Sequence, residues 1–200
     1  MSDITLYFAR ASRSFTPRWL LEELGVPYAV KTLRLGRGDH KTRAYLRVNP
    51  MGKVPALTDG EVRVTENPAI CLYLADRYGM GTLAPAVDDP RRGDFLRWMV
   101  FSTAVFEPAI YLPEDDDASA ASGRGWGTKT RVVEVLADTM RDREWLLGDM
   151  FSAADVMLGS LVSIALFNDR IPGAPDSLVA WNARMSARPA YQSAAEATWG

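Results

Sequence analysis

Val54-Pro55 sits where a strand is about to begin, inside NPMGKVPALTDG at residues 49–60. Proline cannot donate to a sheet ladder and belongs at edges or turns. An X-Pro bond prefers trans by only about 0.5–1 kcal/mol, so a fold can hold it cis. A cis Val54-Pro55 bond predicts that the Val54 N–H and C=O face outward beside the sheet edge. A small peptide could pair with them as an added strand. Further along, Glu66 supplies an anion, Asn67 a good N-cap, and Pro68 suits a first helical position. The free N–H groups and positive dipole end of a helix start make a carboxylate site. Ser12 and Ser14 place hydroxyls just before the first helix, where its dipole favours a nearby negative charge.

The elements that must position these residues are legible as two grammars. Ile4–Phe8 is short, β-branched and aromatic, and reads as a strand. Arg18–Gly25 reads as a helix, with Trp19, Leu20, Leu21 and Leu24 on its apolar face and Gly25 as its stop. Tyr28–Leu33 is a second strand, and residues 36–48 are polar with a weak helical tail. Val54–Leu57 and Arg63–Thr65 are strands joined by the Asp59-Gly60 turn, and Pro68–Tyr78 is a helix. After residue 80 the strands vanish. Residues 81–89 read as a linker, and helices are expected at Pro90–Leu112, Lys129–Glu144, Ser152–Asn168 and Ser177–Ala187. Residues 113–127 are acidic, small and Gly-rich and predict a mobile loop, with Trp126 its only large apolar residue. The expected architecture is α/β plus all-α. A domain at 1–80 is followed by a linker at 81–89 and a helical bundle at 90–200.

Composition narrows the function classes. The net charge of −2 lacks the basic excess of a nucleic-acid footprint. No apolar run approaches the roughly 20 residues of a membrane span, and MSDITLYFAR lacks the pattern of a secretory signal. A single cysteine, Cys71, leaves no internal disulfide framework and no Cys-based zinc cluster. A reducing, cytoplasmic setting is expected.

NPMGKVPAL, the Asp-Gly turn and TENPAICLYLADRYG together resemble the glutathione site of the soluble glutathione S-transferases. LYFARASRSFTPRWLLEELGVPY resembles that family's first strand and helix, and FSAADVMLGSL its later capped helix, so the resemblance spans essentially the whole chain. It implies an N-terminal thioredoxin-like β-α-β-β-β-α domain followed by a helical bundle. The subtype resembled is bacterial and serine-type, theta- or beta-like. The implied function is a transferase, with detoxification as its setting: it activates the glutathione thiol for attack on an electrophilic, partly apolar small molecule. The same fold hosts glutathione-dependent isomerases, dehalogenases and peroxidases, and also non-catalytic glutathione-binding or scaffold proteins. A homodimer is implied, with the helix ending in Asp76-Arg77-Tyr78 at its interface. Glutathione is the co-substrate, and no metal, nucleic acid or membrane partner is expected.

The resemblance assigns roles residue by residue. Val54 and Pro55 present the backbone pair to the peptide, and Glu66 meets the γ-glutamyl amine. Asn67 stands where the family usually has serine, and its amide can still donate to the γ-glutamyl carboxylate. Pro68 removes a backbone donor there. His40, Lys41 and Lys53 are the cations for the glycyl carboxylate. Ser12 occupies the place of the serine used by serine-type members and is the first candidate to activate the thiol; Tyr7 and Ser14 are the alternatives. Ser14 reads more readily as an N-cap of the first helix than as a catalytic group. Arg13 occupies the place of the cysteine of beta-class members, and Arg10 and Arg13 add positive potential. Ala11, Phe15, Phe106 and Tyr111 are the expected walls of the second-substrate pocket. Cys71, Trp98, Trp145 and Trp181 read as core, and Ser152 to Asp155 as a capping box.

Overall fold

The computed structural model describes residues 3–112 and 123–200. Of the loop expected at 113–127, residues 113–122 lie outside the described part. The chain divides into two compact units, residues 1–80 with 187–200, and residues 81–186.

The first unit is built on a four-stranded sheet in the order β2-β1-β3-β4, with β1 Ile4–Phe8, β2 Ala29–Thr32, β3 Ala56–Asp59 and β4 Val62–Thr65. β1 runs parallel to β2 and antiparallel to β3, and β3 is antiparallel to β4. Burial alternates along β1: Ile4, Leu6 and Phe8 are buried, Thr5 and Tyr7 half-buried, as a period-two strand requires. Helix α1 (Phe15–Leu24) begins three residues earlier than its apolar stripe suggests. Pro17 does not prevent this, because proline is tolerated in a helix's first turn. Gly25 ends it at φ 62°, its N–H donating to Leu21 and Glu22 carbonyls. A four-residue helix, α2 (Arg43–Leu46), is capped by the Thr42 hydroxyl accepting from Tyr45 N–H. Helix α3 (Asn67–Tyr78) is tied to β3 by buried Asp59, which accepts from the hydroxyls of Tyr73 at 2.8 Å and Tyr78 at 2.5 Å and pairs with Arg77.

The helical unit contains α4 (Arg92–Phe101), a wider π-type turn at Ser102–Phe106, α5 (Glu107–Tyr111), α6 (Lys129–Arg141), α7 (Ala153–Phe167) and α8 (Asp176–Ser186). The expected helix at Pro90–Leu112 is thus two helices with a π-type turn between them. Helix α7 carries the predicted capping box: Ser152 Oγ accepts from Ala154 N–H at 3.3 Å, and Asp155 accepts from Ser152 N–H at 3.0 Å. Trp98 and Trp181 are fully buried and Trp145 nearly so.

The division differs from the expected one at the C-terminus. Helix α9 (Pro189–Trp199) was not anticipated, and it belongs to the first unit. Its Tyr191 packs edge-on against Phe15 and Trp19, with ring centroids 5.1 and 4.9 Å apart. At its start, Arg188 donates to both oxygens of Glu23 in α1.

Candidate active site

The loop between β1 and α1 folds on its own hydroxyls. Ser12 Oγ lies 2.7 Å from the Ala9 carbonyl oxygen and 2.9 Å from Ser14 Oγ, and it accepts from Ser14 N–H at 3.1 Å. Ser14 is fully buried and its Oγ accepts from Ala9 N–H at 3.3 Å. Ser14 occupies the N-cap position of α1, yet its side chain makes no capping bond. Ser12 is half-buried, one residue beyond Ala11, which is exposed at φ 49°.

The Val54–Pro55 bond is cis, as the sequence predicts. The turn before it is closed by Asn49, whose side chain donates to the Lys53 carbonyl at 2.8 Å and accepts from Met51 N–H at 3.0 Å. The Tyr45 hydroxyl also donates to the Lys53 carbonyl. Asn49 and Tyr45 therefore hold the segment that delivers Val54, a role the sequence signals only through an asparagine at the first turn position. Among the described residues, no hydrogen bond engages the Val54 N–H or C=O. Gly52 sits at φ 61°, and a Cβ there would lie 3.1 Å from the His40 carbonyl oxygen. That close approach brings the His40–Lys41 segment against Gly52 and Lys53. His40 is half-buried with Nδ1 unpartnered, while the Lys41 and Lys53 side chains are exposed.

Helix α3 opens one residue earlier than expected. Glu66, not Asn67, takes the N-cap position, because the Glu66 carbonyl closes the first turn by accepting from Ile70 N–H at 2.9 Å. Glu66 has φ 70°, a region that non-glycine residues rarely enter and that often marks functional sites. Its side chain is exposed and joins no ion pair among the described residues. Asn67 is buried, and one of its amide N–H groups donates to the Arg13 carbonyl at 3.2 Å, not outward to a ligand. This bond joins the start of α3 to the loop holding Ser12 and Ser14.

Other sequence candidates lie elsewhere. The Tyr7 ring packs 5.6 Å from Tyr45, beneath Lys31, in a cluster with Leu33, Val48 and Val54. It lines a cavity of about 460 Å³ with Lys31, Arg34 and Tyr45, and that cavity includes neither Ser12 nor Ser14. Arg10 is exposed and donates to the Gly200 carbonyl. Phe15 and Phe106, expected as pocket walls, are fully buried core residues of their respective units. Tyr111 is half-buried, with the Arg170 guanidinium 5.8 Å from its ring centre. Cys71 is fully buried, and burial pushes its thiol up to about 12, which leaves it inert at neutral pH.

A carboxylate, an unpaired backbone amide and carbonyl, and a hydroxyl loop therefore surround the β1, β3 and α3 ends of one thioredoxin-like sheet. Residues 2–76 match the family model of the glutathione S-transferase N-terminal domain. Over those residues the chain is similar to glutathione S-transferases. Among similar proteins, a glutathione S-transferase of Hyoscyamus muticus is 27% identical over 198 residues, covering 88% of this chain and 89% of that protein. The glutathione transferase URE2P6 of Phanerochaete chrysosporium, solved with oxidized glutathione, superposes with a TM-score of 0.80 at 25% identity, covering 98% of this chain and 96% of that one. A sphingomonad glutathione S-transferase complexed with glutathione gives a TM-score of 0.78 at 29% identity, covering 97% and 98%. Among the described residues, no helix is long and apolar enough to cross a membrane.

Proposed function

We propose that this chain binds glutathione at the site described above and transfers it to an electrophilic, partly apolar small molecule. The observation that carries the reading is the unpartnered backbone pair of Val54, flanked by the free carboxylate of Glu66. An extended peptide satisfies the former, and its ammonium the latter. The basic side chains of His40, Lys41 and Lys53 face the glycyl carboxylate, where each well-made charge-assisted contact is worth about 1.5–3 kcal/mol.

A free cysteine thiol ionises near pH 8.5. In the bound state the thiol proton leaves to solvent, and Ser12 keeps its own proton while donating a hydrogen bond to the sulfur anion. Binding brings the thiolate beside its target, and the hydrogen bond holds down its pKa. A sulfur lone pair then forms the new S–C bond. The displaced electron pair departs with a leaving group or takes a proton from water.

The same reading carries the serine-type, theta- or beta-like subtype through Ser12, while Arg13 at the place of the beta-class cysteine rules out that cysteine's chemistry. It also carries a homodimer through the end of α3, a cytoplasmic detoxifying role, and Ala11 as a contact of the second substrate. The alternative roles as isomerase, dehalogenase, peroxidase or scaffold are not favoured, since the relatives carry the transferase name.

The test is retention on immobilised glutathione, followed by a thiol-conjugation assay of wild type and Ser12→Ala. Binding at or below ~1 mM glutathione is expected. Ser12→Ala is expected to lower kcat by about 10- to 100-fold, the worth of one hydrogen bond to a charged group. Equal activity in the two proteins removes Ser12 from the mechanism.

A further inference from the structure

The hydrogen-bond chain at Ser12 contains more than a donor. We infer that Ser14, although it never touches glutathione, is a positioning residue that makes the Ser12 hydroxyl an effective hydrogen-bond donor to the thiolate. This rests on the proposed glutathione site.

The argument is a count of protons. Ser14 Oγ is fully buried and accepts from Ala9 N–H at 3.3 Å with one of its two lone pairs. Its own proton has one acceptor within reach among the described residues, Ser12 Oγ at 2.9 Å. The Ser12 proton then has one protein acceptor left among the described residues, the Ala9 carbonyl oxygen at 2.7 Å. The opposite assignment, with Ser12 donating to Ser14, would strand a buried hydroxyl proton, which buried polar groups avoid. Ser12 Oγ therefore receives two hydrogen bonds, from the Ser14 hydroxyl and from Ser14 N–H at 3.1 Å, and has one to give. An oxygen that accepts two donors is polarised, and its own O–H becomes a stronger donor, because chained hydrogen bonds reinforce one another.

In the resting chain that donor is parked on the Ala9 carbonyl. A thiolate beside Ser12 offers a charged acceptor, and charge-assisted bonds are about twice as strong as neutral ones. The Ser12 proton turns from carbonyl to sulfur while both bonds from Ser14 stay in place. No proton is transferred between the two serines. The step is a rotation about the Ser12 Cβ–Oγ bond, with the thiol proton already lost to solvent.

The test measures the pKa of bound glutathione by ultraviolet thiolate absorbance, and the pH profile of kcat/KM, in wild type, Ser14→Ala, Ser12→Ala and the double variant. Ser14→Ala is expected to raise the thiol pKa and to lower kcat by about 3- to 10-fold, the worth of one neutral hydrogen bond, with glutathione affinity little changed. Ser14→Thr keeps the hydroxyl and is expected to track wild type. In the Ser12→Ala background, Ser14→Ala is expected to cause no further rise, because Ser14 acts only through Ser12. Should Ser14→Ala not fold, Ser14→Cys, a weaker donor, is read by the pH profile alone and is expected to shift the same way by less. An unshifted pKa in Ser14→Ala, or an equal shift with and without Ser12, overturns the inference while leaving the glutathione site standing. Failure of the wild type to bind glutathione overturns the site and this inference with it.

Discussion

The Asn67 amide donates to the Arg13 carbonyl at 3.2 Å, a single bond between residues 54 apart in sequence. It fixes the start of α3 against the loop that presents Ser12, so the groups proposed for the γ-glutamyl end and for the thiol of a bound tripeptide cannot drift independently. Asn67→Ala removes this tie and leaves the Arg13 carbonyl with the Thr16 N–H, at 3.3 Å, as its remaining donor. Thermal unfolding is expected to show a loss of about 0.5–1.5 kcal/mol. Steady-state kinetics are expected to show a raised KM for glutathione, with kcat reduced because Ser12 loses its register to the sulfur. A KM equal to wild type would mean that the loop holds its shape without this bond.

Glu66 joins a free carboxylate to a backbone at φ 70°. A residue held in such a region stores on the order of 1–3 kcal/mol, and glycine enters it without the Cβ clash. Glu66→Gly is therefore expected to raise stability by about 1 kcal/mol, after allowance for the greater chain entropy that glycine loses on folding. The same change deletes the anion for the glutathione amine, so affinity is expected to fall about 10- to 100-fold. Glu66→Gln separates the two effects: affinity should fall with no gain in the chemical-denaturation midpoint. A glycine variant that binds as well as wild type would deny Glu66 its role.

Arg188 Nε and Nη2 donate to the two carboxylate oxygens of Glu23 at 2.6 and 2.8 Å, and Trp19 Nε1 donates to Glu23 as well, at 2.8 Å. The Glu23 side chain is only 7% exposed, so its charge has little water to fall back on. Removing one partner of a buried pair costs about 3–5 kcal/mol; Arg188 is itself 30% exposed, which places Arg188→Ala near the lower figure. Denaturant unfolding measures it. Glu23→Gln with Arg188→Met, which removes both charges, is expected to recover most of the loss.

These three relationships also show where the sequence stops being informative. β1, β3 and α3 were legible because their signals are local: an alternating apolar run, a Val-Pro step after an Asn-Pro turn, a proline near a helix start. The capping box at Ser152 and Asp155 is a four-residue signal and was read with its boundaries. Helix α9 carries no local signal, because PAYQSAAEATW has little apolar periodicity of its own. What holds it is Phe15, Trp19 and Glu23, more than 160 residues away in sequence. The same limit hid the role of Asn67, whose partner lies in another loop. Tyr7 and Phe8 alternate faces, so only one could serve the helix side; the strand's burial pattern settles it for Phe8.

Asp155 gives the fold an unusual dependence on pH. Its carboxylate is fully buried and accepts from Leu146 N–H at 2.9 Å, Ser152 N–H at 3.0 Å and Ser152 Oγ at 3.1 Å. Burial disfavours the charged form and outweighs these donors, pushing the group up to about 6. An unfolded aspartate ionises near 3.9, so the folded state holds this proton the more tightly. The stabilisation from that proton is fully present below pH ~3.9 and is lost as pH rises through about 6. At 1.36 kcal/mol per pH unit, the gap of about two units is worth about 3 kcal/mol. Asp59 acts in the opposite sense: burial raises it, but the hydroxyls of Tyr78 and Tyr73 and the charge of Arg77 hold it below its ordinary value, so its contribution fades on acidification. A single wild-type curve mixes the two. Asp155→Asn is expected to be less stable throughout, since an amide cannot accept from all three donors, and to lack this titration. Subtracting its unfolding free energy from that of wild type across pH 4 to 7 should give a difference that shrinks as pH rises, with its steepest change about midway between the two ionisations, near pH ~5. A flat difference would mean that the three donors keep Asp155 ionised in the folded state as readily as in the unfolded one.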